Sequence, residues 1–175
     1  MIGLAAVAAE YDLGARGRLS METPDGWSVQ SRAVVRPDGV QVGYEILMAT
    51  GPDRNAKMMV SLAFVQKGPP TIERVRRGVL ASTEEYIVKS VERKQTLQDF
   101  SLKQGFGVYC VFTDASLVGK PPKKDDQKVL GSGVVQLRDD VTGVVTLLAD
   151  AADGGEFRAM VKSVNSLRLT AKPEK

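Results

Sequence analysis

The sequence predicts an α+β fold, a mostly antiparallel sheet of about six to eight strands covered by two helices as an α/β/α sandwich. Three observations carry this expectation. Residues 71–91 place Ile72, Val75, Val79, Thr83, Tyr86, Ile87 and Val91 at the i, i+3, i+4, i+7 spacing of an amphipathic helix. On either side the chain changes to short apolar runs broken by Gly, Pro, Asp and Asn, which are strand and turn signals. A second helical stripe, Phe157, Met160, Val161, Val164 and Leu167, lies within 154–167.

Taken in order, residues 16–22 read as a strand stopped by Thr23-Pro24-Asp25-Gly26, where Pro presets φ and Gly accepts positive φ. Residues 27–35 alternate, with Trp27, Val29, Ser31 and Ala33 on one face and Ser28, Gln30 and Arg32 on the other, before a second turn at Arg36-Pro37-Asp38-Gly39. A strand over 40–50 ends at Gly51-Pro52-Asp53-Arg54-Asn55. Residues 58–66, MMVSLAFVQ, are apolar at nearly every position, which predicts an interior strand covered on both faces. Thr71 is placed to cap the helix, and Gly78 within it would allow close approach of the sheet. Strands over 95–103 and 108–113 join through Gln104-Gly105-Phe106-Gly107; strands over 129–138 and 143–149 join at Asp139-Asp140. The order is four strands, helix, four strands, helix.

A chain of 175 residues that is 43% hydrophobic and 26% charged predicts one domain with a core of its own, over 16–169. Residues 170–175 read as a solvated tail. With 24 basic and 21 acidic side chains the net charge is +3, too weak and too mixed to predict nucleic acid as a partner. Histidine is absent, which removes Ser/His and Cys/His nucleophilic pairs, histidine metal sites and histidine proton shuttles together. The lone Cys110, in VYCVF, reads as a small buried apolar residue. Residues 1–15 read as a signal-peptide remnant, with an A-x-A site at Ala6, Val7 and Ala8, or as a disordered lead-in. The first alternative implies the envelope or periplasm and the second leaves the cytoplasm open. The initial apolar run is too short to span a bilayer, so no membrane span is predicted in the chain.

Pro24-Asp25-Gly26-Trp27 at the opening of the sheet, the mid-chain helix over 71–91 and the closing segment FRAMVKSVNSLRL over 157–169 together resemble the PsbP/Mog-type α/β/α sandwich superfamily, which includes the DcrB-like envelope lipoproteins. The resemblance covers nearly all of 19–169. It implies a non-enzymatic binding or assembly module, because members are mostly accessory factors, chaperones or adaptors. It implies no cofactor and no site residue.

The residues themselves offer few sites. The acidic pairs Glu84-Glu85, Asp125-Asp126 and Asp139-Asp140 read as solvated faces and turn tips, since adjacent acids point apart and a general acid/base pair must face one substrate. Gly131-Ser132-Gly133 lies within a strand pattern, so a bulge or a close approach by another backbone explains it better than a phosphate loop. The segment GKPPKKDDQK sets Lys120, Lys123, Lys124 and Lys128 around a double proline on a long loop, 114–128, where binding function concentrates, although Asp125 and Asp126 leave it a net charge of only about +2, as in an ordinary solvated loop, which is the favoured reading. Arg74 and Arg77, with Arg76, add a basic patch near the start of the mid-chain helix. Positive charge there opposes the helix dipole, which favours a partner carboxylate or phosphate.

These features rank three functions. The first is an envelope binding or accessory module that meets a protein partner through the long loop or a sheet edge. The second is a cytoplasmic chaperone or adaptor, which Met58 and Met59 would serve if exposed, against their reading as core filler. The third is a histidine-free enzyme, which would need a cleft bringing together groups such as Lys120, Tyr109, Glu45 and Asp114.

Overall fold

The computed structural model describes residues 7–50, 55–64, 71–121, 123 and 126–171. Its strands are β1 (Val7–Asp12), β2 (Arg18–Thr23), β3 (Ser28–Val35), β4 (Gln41–Ala49), β5 (Lys57–Phe64), β6 (Gln98–Asp99), β7 (Phe106–Thr113), β8 (Val129–Arg138), β9 (Val141–Ala149) and β10 (Arg168–Thr170). The helices are α1 (Ile72–Thr83), extended by a 3-10 segment Glu84–Lys89, and α2 (Gly155–Asn165). A seven-stranded antiparallel sheet runs in the order β3-β4-β5-β9-β8-β7-β6, and a three-stranded antiparallel sheet in the order β1-β2-β10. The α+β architecture and the antiparallel pairing expected from the turns are therefore present.

Side-chain parity along the strands puts the two helices on opposite faces of the large sheet. On the front face, Ile46 and Met48 of β4, Met58, Val60 and Leu62 of β5, and Val145 and Leu147 of β9 join Phe157, Met160 and Val164 of α2 in one buried cluster. Leu19 and Met21 of β2 and Leu169 of β10 belong to the same cluster, so the three-stranded sheet lies on this face beside α2. On the back face, Val75 and Val79 of α1 pack with Val108, Cys110 and Phe112 of β7 in a second, smaller cluster. Cys110 is fully buried there, as an inert apolar residue would be.

Helix α1 starts where the sequence indicated: the Thr71 hydroxyl accepts from the Arg74 amide at 3.3 Å. It ends as an α-helix at Thr83, eight residues before the predicted end of the stripe. There the Gln95 side-chain amide donates to the Leu80 carbonyl, the acceptor that the amide of Glu84 would need in a further α turn. Val91 is accordingly exposed. Gly78 is exposed too, and a Cβ at this position would meet nothing within 4 Å, so it does not mediate contact with the sheet.

Three expectations at the ends and edges give way. Residues 7–12 are not lead-in but β1, paired antiparallel along all of β2 from Val7↔Thr23 to Asp12↔Arg18, so the folded domain begins before residue 16; residues 1–6 lie outside the described set. Arg168–Thr170, partly assigned to the tail, pairs with β2 as β10. The strand at 95–103 contracts to Gln98–Asp99. Of these segments only β10 has a partner distant in sequence, as Leu169↔Leu19 shows; β1 and β6 pair with the strand that follows them.

An ionic cluster ties the small sheet to the large one. Arg16, in the 3-10 turn Gly14–Arg16 between β1 and β2, lies 4.2 Å over the Phe64 ring and 3.2 Å from the Asp140 carboxylate, which also accepts from Arg138 at 2.6 Å. The hydrogen bonds from Arg138, with both arginine charges nearby, hold the Asp140 carboxyl below the usual aspartate range. The tip of the β8–β9 hairpin is thus a docking point rather than a purely solvated turn.

Two glycines separate conformational from steric demands. Gly105 has φ +77° and a Cβ there would lie 1.9 Å from the Gln136 carbonyl oxygen; Gly26 has φ +76° with open space around it. Gly105→Ala is expected to cost about 2 kcal/mol or more in urea unfolding, and Gly26→Ala about 1 kcal/mol. Equal costs would show that the β8 backbone does not constrain this position.

Candidate functional site

The basic side chains singled out in the sequence form two separate surfaces. Arg74 and Arg77 are exposed on α1, while Arg76 turns toward the sheet edge and pairs with Asp99 of β6 at 3.1 Å. Helix α1 runs parallel to β7, with Arg76 near the level of Val108 and Tyr86 packed on Phe112 at 5.6 Å. The loop after β7 therefore emerges at the far end of the helix from the arginines. In that loop Lys120 and Lys123 are exposed, and the Lys128 ammonium donates to the Lys120 carbonyl at 2.8 Å. The Lys123 carbonyl accepts from the Asn55 amide at 3.4 Å. Lys124 lies outside the described residues. The loop is thus partly closed on itself, and the arginines and lysines do not converge.

Nor do the groups considered for catalysis. Glu45 accepts from Arg32 at 2.6 Å across β3 and β4, Tyr109 donates to Gln98 at 2.9 Å on the front of β7, and Asp114 accepts from the Ser116 amide at 2.8 Å in its own loop. The Ser116 hydrogen bonds, with Lys120 and Lys89 nearby, lower the Asp114 carboxyl, so Lys120 acts as a partner of that loop. Among the described residues no three or more Cys, Asp or Glu side chains converge as a metal site. No described helix is long and apolar enough to cross a membrane.

An exposed apolar patch lies on the back of the sheet, beyond α1. A helix lying along strands is about 10 Å wide and strands are about 4.8 Å apart, so one helix covers about two of them. Helix α1 covers β7 and β8, and no other described element covers the back of β3, β4, β5 and β9. Residues 57–64 consequently alternate in burial, in place of the predicted cover on both faces: Met58, Val60 and Leu62 are buried in front, and Met59 at 41% and Ala63 are exposed behind. Met58 is core filler and Met59 is not. Leu47, directly opposite Met59 in the β4–β5 register, is also 41% exposed, and Val144, opposite Ser61 on β9, is 52% exposed.

This patch continues to the edge of the sheet. Among the described residues β3 pairs with β4 alone, and seven of its eight residues are exposed, so the faces predicted from its alternation are both solvated. Its place beyond the reach of α2 and the small sheet explains this. A depression of about 320 Å³ lies where β3 meets the patch, lined by Gln30, Arg32, Glu45, Leu47 and Met59. The Arg32–Glu45 pair crosses it, with the arginine largely exposed. The sequence carried a signal for this surface: apolar residues at both parities in 58–64, in a chain with one helix available per face.

Titration on the opposite side concerns Glu92, whose carboxylate accepts from the Thr113 amide at 2.8 Å and the Thr113 hydroxyl at 2.7 Å. Burial pushes this carboxyl up, but the two Thr113 hydrogen bonds outweigh it and hold the group below the usual glutamate range. A carboxyl depressed by folding adds stability above its unfolded pKa and loses it as pH falls through the folded value. Chemical denaturation between about pH 5 and 3 is therefore expected to show a steeper loss of stability for the wild type than for Glu92→Gln. Equal slopes would mean that the Thr113 contacts do not favour the ionised form. Compared with protein-family models, with curated proteins and with solved structures, the chain finds no match in any of the three.

Proposed function

We propose that the protein is a non-enzymatic binding or accessory module of the bacterial envelope, of the PsbP/Mog type, that meets an extended segment of a partner protein at the β3 edge and the adjoining back face. The observation that carries this reading is the outer side of β3, unpaired among the described residues, running beside the exposed Leu47, Met59 and Val144. An edge strand offers a row of backbone donors and acceptors to an added strand, and neighbouring pockets select its side chains. Exposed apolar clusters rimmed by charge, here by Arg32 and Glu45, are recurrent interaction surfaces. Of the two contact surfaces expected from the sequence, the edge is favoured over the lysine loop, because Lys128 is spent on the loop's own backbone. The scattering of Lys120, Tyr109, Glu45 and Asp114 supports binding over catalysis.

The exposure of Met59 also keeps the second reading, a cytoplasmic chaperone or adaptor using the same face. Photo-crosslinkers placed at Leu47 and at Lys120, in cells fractionated into envelope and cytosol, separate these readings. A discrete adduct is expected from Leu47 in the envelope fraction, lost when Met59→Glu is added. The same adduct in the cytosol alone would establish the adaptor; adducts from Lys120 alone would move the contact to the loop, and no adduct from either position would reject the binding module.

A further inference from the structure

The front face carries a second recessed surface, remote from the β3 edge. Helix α2 buries Phe157, Met160 and Val164 against β2 and β9, and its next stripe, Arg158, Val161 and Lys162, stands toward β7 without reaching it. The separation is built into the packing. The Phe157 ring sits against Gly131 of β8, where a Cβ would come within 3.0 Å of it, so the helix rests over β8 and β9 and leaves the β7 side open. A groove of about 520 Å³ results, within the range of small-molecule sites.

Its two walls differ in chemistry. Tyr109 and Val111 of β7 face Phe157 and Val161 of α2 across an apolar floor. The Tyr109 ring is stacked on Phe100, with centroids 4.4 Å apart, and its hydroxyl is bonded to Gln98, so that wall is rigid. Burial raises the Tyr109 phenol, which remains neutral and adds no negative charge at neutral pH. Glu92 also lines the groove as a carboxylate whose two oxygens accept from Thr113, so the lining sets two cations against one anion and stays net positive. On the helix side the Lys162 ammonium has no hydrogen-bond or ion-pair partner among the described residues, and Arg158 gives one Nη1 donor to the Asp153 carbonyl and keeps the rest of its guanidinium without a partner among them. Two cations four residues apart on one helix face thus stand over an aromatic and aliphatic floor.

We infer that this groove is a binding site for a small amphiphilic carboxylate, its aromatic or branched body on the Tyr109 and Phe157 floor and its anionic group at Lys162 and Arg158. A neutral apolar molecule would leave the two cations unanswered, and an organic cation would be repelled by them. The inference is independent of the β3 edge, which lies at the other end of the sheet.

The test uses 3-phenylpropionate, its neutral amide 3-phenylpropionamide and 3-phenylpropylamine, titrated into the ¹⁵N-labelled full chain and followed by backbone amide shifts. The acid is expected to shift residues of α2 and β7 in a saturable way. The amide should bind about tenfold more weakly, as loss of one charge-assisted hydrogen bond implies, and the amine more weakly still. Lys162→Glu, at an exposed position, should weaken the acid at least about tenfold, while Lys103→Glu, outside the groove, should not. Val161→Trp should block binding of every probe by filling the floor. Equal binding of acid and amide, insensitivity to Lys162→Glu, shifts away from α2 and β7, or no saturable shift at millimolar acid would each overturn the assignment.

Discussion

Burial of the front face of the seven-stranded sheet is the interaction on which the rest of this structure depends. Residues from β2, β4, β5, β8, β9, β10 and α2 meet in one continuous cluster there, and several of them, among them Leu19, Ile46, Met58, Val145 and Met160, are wholly removed from water. Each fully buried side chain of this size contributes about 1.5–3 kcal/mol in transfer free energy, before the entropy of ordering it is counted. Leu19 and Met21 of β2 and Leu169 of β10 are buried in this cluster, so the place of the three-stranded sheet is set by the face it covers. The Arg16, Arg138 and Asp140 contacts orient it but are half-exposed and are secondary to the apolar burial.

The asymmetry of the two faces follows from geometry. In front, α2 and a three-stranded sheet share the cover; behind, a single short helix spans two strands. A sheet cannot be closed on both sides by one helix per face when it is seven strands wide. The uncovered part leaves Leu47, Met59 and Val144 in contact with water. The same accounting explains why the edge strand β3 is solvated and why the groove beside α2 exists: both are margins of an incomplete second layer.

Much of the architecture was legible along the chain. The Thr71 cap, the Asp139-Asp140 hairpin, the turns at Gly26 and Gly39 and the two helical stripes are local, since capping, positive φ and amphipathic period are set by residues within a turn of one another. β1 and β10 were not legible. β10 is three residues long and pairs with a strand about 150 positions earlier, as Leu169↔Leu19 shows, and no local pattern encodes such a partner. The site was still less legible. Lys120, Lys123, Arg74 and Arg77 are conspicuous in the sequence because they cluster there, yet the fold places the two groups at opposite ends of α1.

The sequence by itself determined the period of each segment, the positions at which the chain turns and the chemistry it lacks, above all histidine, because these depend on residue type and near neighbours. Only the tertiary structure decided which apolar residues are core. Met58 and Met59 are adjacent and chemically identical, and one is buried while the other is 41% exposed. Strand alternation sends them to opposite faces, and whether a face is covered depends on where α1 lies across the sheet, a relation between elements that no single segment contains.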